Sequence, residues 1–108
     1  MNSEQYTYQV CWSEDDKEYV ATVLEFPSLS WLAPHRREAE DGLVTLVSEV
    51  IDDMEAAGEA IPTPLGAQTY SGKFQVRTSH SLHRQLVMEA ARDGVSLNAL
   101  VNRKLSAV

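Results

Sequence analysis

Gly72-Lys73-Phe74-Gln75-Val76-Arg77 alternates polar and apolar residues without a break, the two-residue period of a half-buried strand. Thr78 or Ser79 follows as a helix cap. Leu82, Leu86 and Ala90 then recur every four residues with Val87 beside them, and Gly94 stops the helix. Ser96 caps a second helix with the stripe Leu97, Leu100, Val101 and Leu105. The order is β-α-α within residues 72–108. A chain shorter than about 40 residues, with no disulfide or metal, rarely buries enough surface to fold alone. It also holds one strand with no mate, and unpaired backbone groups are costly when buried. Antiparallel pairing of two copies about a two-fold axis answers both problems. Phe74, Val76, Leu82, Leu86, Leu97, Leu100 and Val101 are then the shared dimer core, and Lys73, Gln75 and Arg77 face outward. A two-stranded ribbon fits the DNA major groove, where Arg and Lys can read guanine and Gln adenine. Amides at the helix start near Ser96 suit a phosphate. The bland alternative is an edge strand whose polar face is only wet.

Upstream, residues 6–12 alternate and are rich in β-formers, which predicts a strand. Ser13-Glu14-Asp15-Asp16-Lys17 is a polar turn, and residues 19–24 form a second strand, giving a hairpin. Residues 29–32 make a third strand that ends at Ala33-Pro34. The period then changes: Ala39, Leu43, Leu46, Val47, Val50, Met54 and Ala57 make one helical stripe. A helix over 36–57, stopped at Gly58, would lie across the strands as a β-β-β-α layer. Residues 58–71 carry Pro62, Pro64 and Gly66 and read as a linker. The expected domains are 1–65 (58–71 being the linker region) and 72–108.

Charge divides at the same place. Residues 1–65 hold three basic and fourteen acidic side chains, a balance of -11, whereas residues 66–108 hold six basic and two acidic, a balance of +4. The whole chain is at -7 over 108 residues. Such asymmetry points to a polyanion partner at the basic end. At this length a large multidomain enzyme is excluded. With 44% apolar and 23% charged residues the chain has the composition of a folded domain. No apolar run is long enough for a membrane span, and no signal peptide is visible at the start. The single Cys11 forbids an internal disulfide, and a reducing cytoplasm is the expected location.

Tyr70-Ser71-Gly72-Lys73-Phe74-Gln75-Val76-Arg77, then Leu82-His83, Ala90-Ala91, Gly94 and Ser96-Leu97-Asn98, together resemble a ribbon-helix-helix DNA-binding domain. With Tyr19-Val20, Glu25-Phe26-Pro27-Ser28-Leu29, the long helix and Gly58-Glu59-Ala60-Ile61-Pro62, the whole chain resembles HicB-family antitoxins with an appended ribbon-helix-helix. The resemblance implies an α+β chain: an N-terminal β-β-β-α partial ribonuclease-H-like domain without nuclease activity, then a dimerising β-α-α module. It implies a small basic HicA-type messenger-RNA-cleaving toxin as partner, operator DNA as ligand, a homodimer or tetramer, and no cofactor. The DNA-contacting positions carry over to Lys73, Gln75 and Arg77, and the phosphate-contacting helix start to Ser96 and Leu97. The chain departs from the family's Phe-Pro-Asp-Leu-Pro-Gly with Phe26-Pro27-Ser28-Leu29-Ser30-Trp31.

Other residues weigh less. His35, His80 and His83 lack an accompanying ligand motif and read as surface or packing groups. Cys11 reads as a buried, inert thiol. Glu14-Asp15-Asp16 lacks calcium-loop spacing. Trp12 reads as core, and Trp31 with Leu29 as a toxin anchor. The rival readings are a stand-alone ribbon-helix-helix regulator with an N-terminal oligomerisation or sensing domain, and a residual magnesium nuclease. The strands offer too few carboxylates for the latter.

Overall fold

The computed structural model describes residues 2–107. Its contacts divide the chain after Tyr70 into two compact units.

The first unit is a three-stranded antiparallel sheet, β1 (Tyr8–Ser13), β2 (Glu18–Val23) and β3 (Ser30–Ala33), in the order β1-β2-β3. One long helix, α1 (Arg36–Ala56), packs on it. Residues directly opposite on neighbouring strands share a face. The register Tyr8↔Val23, Val10↔Ala21↔Trp31 and Trp12↔Tyr19↔Ala33 therefore defines the face toward α1. Ala21, Val23 and Ala33 are buried there against Ala39, Leu43, Val47 and Ile51 of the helix, with Tyr6 and Phe26 closing the core. Small side chains at Ala21, Ala33 and Ala39 let the helix come close. Ile51 takes the fourth buried position of the stripe, not Ala57, which is the exposed C-cap of α1. The spacing 39-43-47-51 is a row of fours, whereas Ala57 lies past the last turn.

Within the described residues of this unit, no helix covers the opposite face. Cys11, Val20 and Leu32 form a row across all three strands there. Cys11 is exposed and accepts a hydrogen bond from Gln9 Nε2 at 3.6 Å, which overturns its reading as a buried thiol. Trp12 is 49% exposed rather than core. It lies near the loop end of the hairpin, edge-on to Tyr19 at 5.2 Å, and its indole N–H donates to Glu14 at 2.8 Å. An aromatic with a polar tip suits such a half-wet site.

Residues 58–70, expected to be a linker, lack regular structure apart from a 3-10 turn at Leu65–Ala67. They are nevertheless docked. Pro64 is buried, Ile61 packs on the core, and Tyr6 Oη donates to the Pro62 carbonyl at 2.7 Å. Glu25 is the clip. Its carboxylate accepts from Thr7 N (3.0 Å), Thr7 Oγ1 (3.0 Å) and Leu65 N (2.9 Å). Burial alone would raise its pKa, but the hydrogen bonds from Leu65 and Thr7 to the charged form outweigh it and hold the group below the usual glutamate value. A depressed folded pKa stabilises above the unfolded pKa of about 4.3 and is lost as pH falls through the folded value. Glu25→Gln should therefore reduce protection of the Leu65 amide in hydrogen exchange at pH 7. It should also flatten the acid dependence that the parent shows below about pH 4.

The second unit holds α2 (His80–Asp93) and α3 (Leu97–Ser106). Ser79 caps α2 by accepting from Leu82 N at 3.1 Å. Gly94 ends it at φ +67°, with Val95 N returning to the Ala90 carbonyl at 3.0 Å, the left-handed stop that favours glycine. Ser96 caps α3 by accepting from Ala99 N at 3.0 Å. Residues 73–77 carry no strand pairing in the single chain. The strand expected there is therefore not formed in the single chain: a ladder needs a second strand, and within the described residues of this unit there is none.

Candidate functional site

In the unit that begins at Ser71, only one of the seven residues expected to share a core is buried, and three are exposed. Phe74 is 76% exposed and Val76 73%, and Leu82 is exposed as well. Leu86, Leu97 and Val101 are half-buried, and only Ala90 and Leu100 are buried. Val87, Met88 and Leu105 add further exposed apolar surface. Lys73, Gln75 and Arg77 are exposed. A turn closed by Ser71 precedes them: its Oγ accepts from Lys73 N at 3.1 Å, and Gly72 sits at φ +83°.

The charge of this unit is arranged unevenly. Arg103 pairs with Asp93 at 2.7 Å and Lys104 with Glu89 at 3.1 Å. Those are its only two acids, so Lys73, Arg77, Arg84 and Arg92 carry the positive surplus. Sequence reasoning missed Arg84 and Arg92, whose role depends on which acids are already taken. At the start of α3 the Ser96 hydroxyl satisfies one of the four amides that a helix start leaves without intrahelical partners. The position expected to meet a phosphate, Ser96 with Leu97, is thus a formed helix N-terminus.

In the first unit, Leu29 is partly buried and packs on the core, its amide donating to the Phe26 carbonyl at 3.0 Å. Trp31 is 43% exposed, its indole lying against Gly42 of α1. The two are therefore not one exposed anchor. Asp52 and Asp53 are exposed near the end of α1, where the last turn has no basic residue. Negative charge at that end opposes the helix dipole, so this acidic surface is present against local helix preference. His35 precedes α1 without a side-chain cap, and no group of three metal-ligating side chains occurs among the described residues.

Residues 55–105 match the family model of the HicB family. The HicB match runs from the end of α1 into α3 and covers most of the second unit, but not the sheet. It supports the resemblance to the HicB family. No curated protein and no solved structure matches the chain. Among the described residues, no helix is long and apolar enough to cross a membrane.

Proposed function

We propose that this chain is an antitoxin of the HicB type and the repressor of its own operon. The second unit pairs with that of another copy through residues 73–77 as a ribbon-helix-helix. Lys73, Gln75 and Arg77 read the operator, and the start of α3 holds a phosphate. The first unit binds and neutralises a small basic HicA-type toxin, and the chain itself catalyses nothing. The observation that carries the reading is the state of the second unit. A stretch of 38 residues with two buried side chains and an exposed Phe74 and Val76 is too small to stand alone, and a second copy supplies the missing strand and core together. The HicB match over the same stretch supports it.

One observation favours a second reading. The HicB match leaves residues 1–54 outside it, as expected if the first unit only oligomerises or senses a signal in a stand-alone regulator. A titration separates the two. The full chain is added to a purified HicA-type toxin from the adjacent reading frame while RNA cleavage is followed. Cleavage should stop at stoichiometric antitoxin. Electrostatic steering raises association rates by roughly tenfold or more, so the on-rate should fall by about that factor from low to high salt. Asp52→Asn with Asp53→Asn should slow association and leave dissociation nearly unchanged. Undiminished cleavage at saturating antitoxin would leave the stand-alone regulator.

A further inference from the structure

The open edge of β3 and the flank of α1 enclose a groove of about 280 Å³, lined by Trp31, Asp41, Gly42, Thr45, Leu46 and Glu49. Its floor exists because residue 42 is glycine. A Cβ there would lie 2.1 Å from Trp31 Nε1 and 2.4 Å from Cδ1, so the indole rests on bare helix backbone. Held this way, Trp31 is neither core nor free: it stays 43% exposed and forms one wall. Asp41, Thr45 and Glu49 follow at intervals of four along α1 and form one row on the helix. Neither carboxylate has a basic partner among the described residues. Arg37 stands one turn before Asp41 on the same row but makes no ion pair with it, and the sequence up to Leu65 is at -11 as a whole.

An aromatic surface beside two unpaired carboxylates and a hydroxyl is the chemistry that receives a guanidinium. The planar cation stacks on indole and can donate paired hydrogen bonds to a carboxylate. We infer that this groove takes an arginine side chain of a basic protein partner. Charge complementarity selects the occupant: an apolar side chain would leave the carboxylates unused, and an acidic one would be repelled. The inference deepens the antitoxin reading by naming the contact on the toxin, and rests on that reading only for the partner's identity.

The test uses the full chain and N-acetyl-arginine amide, followed through the two indole N–H signals in nuclear magnetic resonance. The Trp31 signal should shift saturably at millimolar probe, with Trp12 as internal reference and N-acetyl-norleucine amide as the apolar control. Asp41→Asn with Glu49→Gln, both at exposed positions, should weaken binding at least tenfold. Gly42→Ala should do the same by displacing the indole without touching either carboxylate. An equal shift with the norleucine probe, no shift at all, or a response that survives the double substitution overturns the groove as an arginine site. With a HicA-type toxin, the double substitution should raise Kd at least tenfold. An unchanged Kd overturns the groove as the contact and leaves the antitoxin reading standing. An arginine-specific Trp31 response in a chain that binds no toxin does the reverse.

Discussion

Phe74→Asp should dissolve the proposed dimer. In the paired ribbon each copy would bury a carboxylate among Leu86, Leu97 and Leu100. The effective cost of such a charge is several kcal/mol per ion, and a two-fold dimer carries two. At 1.4 kcal/mol per tenfold, association should weaken by at least about a thousandfold. Sedimentation velocity should report monomers at micromolar concentration. The damage should stop at the unit boundary, because the sheet and α1 have their own core of nine buried residues. Hydrogen exchange in β2 and α1 should be unchanged while α2 and α3 lose protection. Phe74→Leu, which keeps an apolar side chain, should remain dimeric. A folded Phe74→Asp dimer would remove the shared-ribbon arrangement.

The second large effect is expected at the DNA. One bidentate side chain–base contact is worth about 1–3 kcal/mol. A dimer presents two copies of Arg77, so Arg77→Ala should weaken operator binding by roughly 30-fold to 10⁴-fold if the copies act independently. Replacing Lys73, Gln75 and Arg77 together should leave only salt-sensitive, sequence-independent binding. Arg84→Ala and Arg92→Ala remove uncompensated charge elsewhere in the unit. They should lower affinity uniformly across sequences and reduce the salt slope. Electrophoretic mobility shifts on operator and scrambled DNA at two salt concentrations read all of these. Operator affinity that survives the triple substitution would mean that another surface reads the DNA.

Much of the fold was legible because its signals are local. The alternation around Val10 and Val20, the 39-43-47 row and the caps at Ser79, Gly94 and Ser96 each need only a few neighbouring residues. Errors came where a second element decides the outcome. Alternation says that Cys11 and Val10 face opposite ways, but not which face α1 covers. With one helix for three strands, Cys11 lies on the uncovered side. Trp12 shares the covered face, yet its place at the loop end with Glu14 leaves it half wet. The Glu25 clip joins positions 18 and 40 residues away, beyond any periodic signal. The proline-rich stretch was expected to be a linker, and composition does not reveal that Pro64 is buried. At the candidate site, Trp31 was legible as a residue and its setting was not, since the groove depends on its meeting Gly42 across the layer.

The exposed Cys11 is also the chain's one thiol, which makes the unmodified protein a ready-made spectroscopic reporter. A maleimide fluorophore can be attached at a single defined place on β1 without any substitution. The label would stand beside Val20 and Leu32, on the sheet face away from α1 and the Trp31 groove. Its reaction rate and emission therefore watch that face alone. A toxin seated in the groove should leave both unchanged, whereas self-association through the sheet should shield the sulfur and slow labelling.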